Sequence, residues 1–372
     1  MIRVCHMTSA HGPEDVRIFH KECVSLAKAG YDVYLVERGD SYEKNGVHIV
    51  GVGQPSGGRL SRMTSFAKKV YQAALALDAD IYHFHDPELL PYGLKLKRAG
   101  KKVIFDSHEH TAEAIVEKRW ISPLVRWPAY WIFSAYQRYV GKRLNAIVTV
   151  TPHMVEYFQQ INPKTVFVAN YPVLAKEEAE QPVLMEKEPS VVFAGGISEQ
   201  WNHDKIIQAV GKISGCRYCL LGGGAPAYLE KLKSLPGWKQ VDFIGRVPHT
   251  EVADMLRKCS IGMAVLTPGR NTGYQLGTMG NTKIFEEMMA GLPVVCTNFM
   301  LWKEFVERYH CGICIDPENV EQIAEAIRYL LDHPEEARQM GENGRRAVKE
   351  EFNWSIEEKK LLALYKDILK NN

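Results

Sequence analysis

The feature that most constrains this chain is the alternation of a short apolar strand with an amphipathic helix, repeated along its length. Ile2–Thr8 reads as a strand, and Val16–Ala29 as a helix stopping at Gly30, a residue suited to a helix C-terminus. Further strands are expected at Asp32–Glu37, Ile81–His85, Val103–Asp106 and Ala146–Val150, with helical stretches such as Leu89–Arg98 between them. Strands that alternate with helices build a parallel sheet covered on both faces. The rhythm pauses at Tyr171–Pro189, a charged stretch with three prolines. A second series then runs Val191–Ala194, a helix to Val210, Tyr218–Leu221, helix Tyr228–Leu235, Val241–Ile244, helix Glu251–Lys258 and Gly262–Leu266. It ends with Pro293–Thr297, Ile313–Ile315 and three helices. The expected fold is α/β, with two doubly wound Rossmann-like domains facing across a cleft. Ligands of such sheets collect beyond the carboxyl ends of the strands.

The expected organisation is 1–172 as an N-terminal domain, 173–189 as linker, 190–352 as a C-terminal domain, and 353–372 as a helix returning to the first domain. Hydrophobic residues at 46% and charged residues at 24% suit globular domains of this kind rather than a disordered chain. A net charge of +2 gives no electrostatic footprint for nucleic acid, so no nucleic-acid partner is expected. The start, MIRVCHMTSAHG, lacks a secretory pattern, and no apolar run approaches the roughly 18 residues of a membrane span. A cytoplasmic location is therefore expected, with eight reduced cysteines. Two CxxC pairs, Cys216/Cys219 and Cys311/Cys314, have zinc-like spacing, but both fall in strand-like runs and read as structural.

One segment breaks the pattern. Residues 117–143 carry three Trp, three Tyr and six Lys or Arg, with the aromatics interleaved among the cations. Two readings stand: a helix in a membrane interface, peripheral on the inner face of the plasma membrane, or a core-facing helix with snorkelling cations.

Candidate chemistry lies at strand ends. Thr8–Asp15 is a small-residue loop before a helix, where backbone N–H groups can approach an anion. Gly222-Gly223-Gly224, after a strand and before a helix, could admit a nucleotide, but a strand-to-helix turn needs glycine as well. His83, His85, His108 and His110 gather near Asp86 and Glu109, yet no helix-borne metal motif supports them, and no metal is expected. The richest stretch is LTPGRNTGYQLGTMGNTKIFEEMMAGLPVV, 266–295. Lys283 and Glu286, three apart on one helix face, suit a diphosphate and a ribose: one supplies a point charge, the other a double acceptor. A solvated ion pair is the plain alternative.

These stretches, together with DVRIFHKECVSLAKAGYDV, YHFHDPELLPYGLKLKRAGKKVIFDSHEH and LWKEFVERYHCGICIDPENVEQIAEAI, resemble the family 4 glycosyltransferases over nearly the whole chain. The resemblance implies the GT-B fold and transfer of a hexosyl or N-acetylhexosaminyl group with retained configuration. A nucleotide diphosphate sugar would be the donor substrate and a glycan or lipid-linked compound the acceptor, with no cofactor. It implies that Glu286 holds the ribose, that His108 lies near the donor sugar and its phosphate, and that Gly12 lies beside the diphosphate. Arg246 and Val247 would lie where the base stacks. Asn281 and Thr282 belong to the donor segment, and Asp15, Arg17 and His85 would face the acceptor.

Three positions depart from the family's pattern. Thr278 stands where an acidic residue is frequent, and Gly196 and Trp201 stand where cations usually clamp the diphosphate. Lys283 is the leading substitute, followed by Arg270 and Lys205. Two other functions fit the same pattern: a nucleotide-sugar 2-epimerase, which would turn over donor without acceptor, and a non-catalytic nucleotide-sugar binding protein.

Overall fold

The computed structural model describes residues 1–117, 122–174 and 187–370. The chain divides into two compact units, Met1–Asn170 with Trp354–Asn372, and Tyr171–Asn353. Most of the charged stretch 173–189, from 175 to 186, lies outside the described residues, as do 118–121 of the aromatic segment.

The first unit holds an eight-stranded sheet, ordered β3-β4-β2-β1-β5-β6-β7-β8. Its strands are β1 (Arg3–Met7), β2 (Asp32–Glu37), β3 (Tyr42–Lys44), β4 (Val47–Gly51), β5 (Ile81–Phe84), β6 (Lys102–Ser107), β7 (Ala146–Thr149) and β8 (Thr165–Phe167). All pairs are parallel except β3 with β4. That hairpin was not expected from the strand–helix rhythm. Its signal was Asn45-Gly46, whose φ values of 52° and 76° suit the primed turns that join antiparallel strands.

Side chains alternate across the sheet, so each face has its own core. Cys5, Met7, Tyr82, Phe84, Val103 and Phe105 pack on one face. Val4, Ile81, Ile104 and Val148 pack on the other, where Trp354, Leu361, Leu364, Tyr365 and Ile368 of the helix Trp354–Lys370 cover them. The helix after β1 runs Val16–Lys28, and its first turns, Val16–Cys23, are π-wound.

The second unit has a six-stranded parallel sheet ordered β11-β10-β9-β12-β13-β14. Its strands are β9 (Ser190–Ile197), β10 (Arg217–Gly224), β11 (Val241–Gly245), β12 (Ile261–Ala264), β13 (Val294–Thr297) and β14 (Gly312–Ile315). Gly222, Gly223 and Gly224 do not form a turn. They extend β10 and pair with Gly195, Gly196 and Ile197. A Cβ on Gly222 would lie 1.8 Å from the Gly195 carbonyl oxygen, so the two strand ends approach closely only because side chains are missing there.

In both sheets the strand order reverses beside the first strand, at β1/β5 and at β9/β12. Those switch points are where open α/β sheets leave a crevice for ligands.

Candidate functional site

In the first unit the loop after β1 folds onto one carboxylate. Asp86 Oδ2 accepts from Thr8 Oγ1 at 2.8 Å, Ser9 N at 2.6 Å and Ala10 N at 3.1 Å. The N–H groups of Ser9 and Ala10 are therefore already used. The following helix is closed in the same way, since Asp15 Oδ1 accepts from Arg17 N at 2.9 Å and Ile18 N at 3.0 Å. Gly12 lies beside Arg38, whose NH2 nitrogen would sit 2.8 Å from an added Cβ. Arg38 was not singled out from the sequence, because its closeness to Gly12 depends on β2 lying next to β1.

Asp15 caps the helix, and His11 Nδ1 lies 3.1 Å from its Oδ2. Burial lowers the His11 pKa, but the Asp15 hydrogen bond and the charges of Asp86 and Asp106 outweigh it, so the net shift is upward. Burial acts to raise the Asp15 pKa, yet His11 and the Ile18 N–H hold it well below the carboxylate range.

Arg17 and His85 do not face open space, which corrects their expected place toward the acceptor. Arg17 is 3% exposed and donates to Asp106 at 2.9 and 3.2 Å and to the Val168 carbonyl at 3.0 Å. Its charge neutralises a fully buried carboxylate. Burial disfavours the charged Asp106, but Arg17 and His108 overcome that and keep its pKa well down. His85 is buried between His6, 2.9 Å away, and His108, 3.2 Å away. Burial pushes the His85 pKa down to about 4, against the pull of Asp106. His108 keeps partial exposure; its Nε2 lies 3.1 Å from Asp106 Oδ2, and its ring stacks edgewise on His11. The sequence-singled residues Asp15, Arg17, His85 and His108 thus join one bonded cluster through His11 and Asp106.

Two sets of donor atoms in this cluster lie within 4.8 Å of one another: His6, Glu22, His83 and His85, and His85, Asp106 and His108. A tetrahedral ion at 2.0–2.1 Å from its ligands spaces them by about 3.3 Å. In the first set Glu22 stands 3.9 to 4.0 Å from the three rings, while His6 and His85 are only 2.9 Å apart. Those spacings fit shared protons, not a common ion. The second set has suitable spacing, 3.1 to 3.4 Å. Arg17 Nε, however, already occupies Asp106 Oδ2 at 2.9 Å, placing a guanidinium where a divalent ion would be repelled.

In the second unit the close-packed glycines form a platform. Lys283 crosses Gly195, where an added Cβ would lie 2.0 Å from Lys283 Cε, and Arg246 crosses Gly223, 2.7 Å from its Nε. Gly223 pairs with Gly196, whose own Cβ position is open. Two cations therefore reach neighbouring points of the β9/β10 edge, and the first does so at the switch point. Lys283 is not the solvated partner of an i,i+3 pair. Its ammonium lies 5.2 Å from the Trp201 ring and 5.9 Å from the Phe193 ring, a cation–π placement. Burial lowers the Lys283 pKa, and Glu286 and Glu287 offset part of this.

Trp201 is buried against Phe193. It supplies a ring face under a cation that arrives from another element. Asn281 Oδ1 accepts from Lys283 N at 3.0 Å, Thr282 precedes the helix Lys283–Met289, and Glu286 stands in its first turn. Thr278 is tied by its carbonyl to Trp302 Nε1 at 2.7 Å. Arg270 lies over the Tyr274 ring, Val247 packs at the edge of the apolar core, and Lys205 pairs with Glu318 at 3.4 Å. Lys205 is thereby drawn to a carboxylate on another element. Glu287, missed from the sequence, is buried against Gly262, and burial raises its pKa well above the usual range.

All eight cysteines are free thiols; Cys296 and Cys314, paired across β13 and β14, have sulfurs 3.8 Å apart. Outside the cluster, the helix Pro123–Gly141 does not face a core along its first half. Leu124, Trp131 and Ile132 are 88%, 65% and 72% exposed. No helix among the described residues is long and apolar enough to cross a membrane.

Comparison with known proteins follows the same two-unit division. A family model described as Glycosyltransferase Family 4 matches residues 17–171, and one described as Glycosyl transferases group 1 matches 175–347. The chain is 26% identical over 190 residues to the alpha-D-kanosaminyltransferase of Streptomyces kanamyceticus, covering 50% of this chain and 47% of that protein. It spans about half the length of the curated relatives it matches. Sucrose-phosphate synthase from Thermosynechococcus elongatus superposes over 100% of both chains with a TM-score of 0.78 at 16% identity. HepE of Anabaena, solved with UDP-glucose, superposes over 99% of this chain and 100% of its own with a TM-score of 0.72 at 13% identity. Both likenesses establish the same fold, GT-B.

Proposed function

We propose, from the premise that this chain belongs to the family 4 glycosyltransferases of GT-B fold, that it transfers a hexosyl or N-acetylhexosaminyl group from a nucleotide diphosphate sugar to an acceptor hydroxyl with retained configuration. The observation that carries this reading is Lys283, held on ring faces over Gly195 and one helical turn before Glu286. In the family pattern that the sequence resembles, cations often stand at the positions of Gly196 and Trp201. Here the open space at Gly196 and the ring of Trp201 leave that charge to Lys283, with Arg246 on the adjoining glycine.

In this mechanism the bond from the sugar's anomeric carbon to the diphosphate oxygen breaks, and its electron pair stays on that oxygen. The Lys283 ammonium stabilises the charge gathered there, in a partly desolvated place where the interaction is stronger than in water. The acceptor oxygen bonds to the anomeric carbon from the face the diphosphate leaves, and its proton passes to the departing phosphate. Glu286 accepts two ribose hydroxyls, and the residues around Arg246 and Val247 meet the base. His108 serves the transferred sugar and its phosphate. Side chains supply the charge, so this reading assigns no metal and no cofactor. The UDP-glucose complex of the Anabaena neighbour supports a nucleotide diphosphate sugar as donor.

The acceptor is proposed to be a glycan or lipid-linked compound at a membrane surface, in cell-surface polysaccharide or glycolipid synthesis. The exposed Leu124, Trp131 and Ile132, with Arg126 on the same helix, support a peripheral contact from the cytoplasmic side.

The deciding experiment is calorimetric titration of Glu286→Ala with UDP and GDP. A loss of affinity of about tenfold or more is expected, as for a lost bidentate acceptor; wild-type affinity for the nucleotide that binds would overturn the ribose assignment. Co-sedimentation with vesicles should rise with anionic lipid and fall in Trp131→Ala; binding indifferent to both would remove the membrane proposal.

A further inference from the structure

β13 and β14 lie side by side at one end of the second sheet, and β14 is its outermost strand. Their residues pair in parallel register, Val294 with Gly312, Val295 with Ile313 and Cys296 with Cys314. Register partners point to the same face of a sheet, so the two cysteine side chains stand next to each other. Their sulfurs are 3.8 Å apart. Neighbouring strands are spaced by about 4.8 Å, within the roughly 4.4–6.8 Å that the Cα atoms of a disulfide span. The backbone therefore already has the spacing of a cross-strand bond.

The two thiols differ in their surroundings. Cys296 is fully buried, whereas Cys314 keeps partial exposure. A sulfur without water around it is the costlier place for a negative charge, so the shared proton stays on Cys296, whose S–H donates to Cys314. That hydrogen bond, with burial, raises the Cys296 pKa well above the ordinary thiol value. At Cys314 the same hydrogen bond lowers the pKa; burial and the Glu307 charge oppose it, and the Lys303 charge adds to it. The sulfur that water reaches is thus also the one that ionises first, and the thiolate is the form that attacks disulfides.

A second pair lacks this combination. Cys219 on β10 and Cys259 also share a hydrogen bond, but it lowers the pKa of Cys259, which is 4% exposed, and raises that of the partly exposed Cys219. The Cys296–Cys314 pair also brackets a segment that supports its neighbours. A Cβ on Gly277 would lie 2.4 Å from that of Phe299, and Trp302 donates to the Thr278 carbonyl at 2.7 Å. A bond between the two cysteines would staple the segment on which residues 277 and 278 rest.

We propose that Cys296 and Cys314 are a thiol–disulfide exchange site, in which Cys314 attacks a small disulfide of the glutathione class and Cys296 resolves the adduct into a bond between β13 and β14. In the first step the Cys314 thiolate bonds to one sulfur of the small disulfide. The S–S bond of that disulfide breaks, and its electron pair stays on the departing thiolate, which takes up the proton that Cys314 released. In the second step Cys296 gives up its proton and bonds to the Cys314 sulfur. The adduct's S–S bond breaks, and the second small thiol leaves with that proton. The protein pair loses two electrons and the small disulfide gains them, so excess small thiol runs both steps backward. Neither cysteine belongs to the sugar-transfer reading, and the fate of one does not bear on the other.

The test incubates the folded, reduced full chain with glutathione disulfide, then alkylates the remaining thiols and digests it with trypsin. Thiol titration of the unfolded product should count two fewer than the eight of the reduced chain, and dithiothreitol should restore them. Lys303 and Arg308 lie between the two cysteines, so the link should join two separate tryptic peptides. Cys311 shares the peptide of Cys314, and Cys311→Ser should therefore keep the link. In Cys296→Ser the adduct should persist on Cys314 as one added glutathione, and in Cys314→Ser no adduct should form on Cys296. Eight unreacted thiols in the wild-type protein would overturn the proposal without any variant. A link made by Cys311, or by Cys219 and Cys259 in its place, would do the same. An adduct on Cys296 in Cys314→Ser would overturn the order of attack.

Discussion

The two units treat charge in opposite ways at equivalent places in their sheets. At the β1/β5 switch point of the first unit, the carboxylates Asp15, Asp86 and Asp106 are answered from within. Asp86 takes the loop's N–H groups, Asp15 caps the helix, and Arg17 neutralises Asp106. At the β9/β12 switch point of the second unit, a lysine is stored on the faces of Trp201 and Phe193 above a glycine platform. Internal pairing makes a rigid polar interior whose groups are committed before any ligand arrives. A cation held by rings keeps most of its charge available, because cation–π attraction offsets only part of the lost hydration. The same fold thus yields one site set by internal bonds and one that holds a cation on ring faces.

The largest expected effect tests the first half of that contrast. Arg17→Met leaves the Asp106 carboxylate buried without its cation and should destabilise the protein by about 3–5 kcal/mol. Urea denaturation measures it; a loss under about 1 kcal/mol would mean that Asp106 finds its charge balance elsewhere. Lys283→Met should behave in the reverse way. It removes a desolvated charge, so stability should hold or rise, while kcat/KM should fall about 10²-fold. A Lys283→Met protein that unfolds more easily yet retains turnover would erase the distinction between the units. A smaller effect sharpens it. The lowered pKa of Lys283 means that donor affinity is present below that pKa and is lost as pH rises through it, earlier than for an ordinary lysine. In Lys283→Arg the alkaline fall should disappear, since arginine stays charged. Titration with the bound nucleotide from pH 7 upward checks this.

How much of the molecule was legible depended on whether the cause was local. Asp32–Glu37 is a strand in both readings, and Val241–Ile244 and Pro293–Thr297 lie within a residue of the observed strands, because apolar runs between helices signal buried parallel strands wherever they occur. The β3/β4 hairpin was legible in Asn45-Gly46 but was masked by the expectation of helices between strands. At the candidate site, Lys283 and Glu286 were legible as neighbours because helical spacing is fixed. The burial of Arg17 and His85 was not, since a charged or titratable residue near a strand end looks the same in sequence whether it faces a ligand or a buried carboxylate. The run Gly222–Gly224 misled for a related reason. Glycine marks a turn or a close approach, and only the neighbouring Gly195 shows which.

The sequence by itself determined the strand–helix alternation, the two series that build two sheets, and the helical spacing of Lys283 and Glu286. Each follows from periodicity or from residues close together in the chain. Only the tertiary structure decided that Asp86 takes donors of the first loop, that Trp201 and Gly195 seat Lys283, and that Tyr365 meets His6 and His83. Those contacts join residues tens to hundreds of positions apart, and a hydrogen bond or cation–π contact acts only over a few ångströms. Partner choice at that range is set by sheet order and by the path of the last helix, which no local pattern encodes.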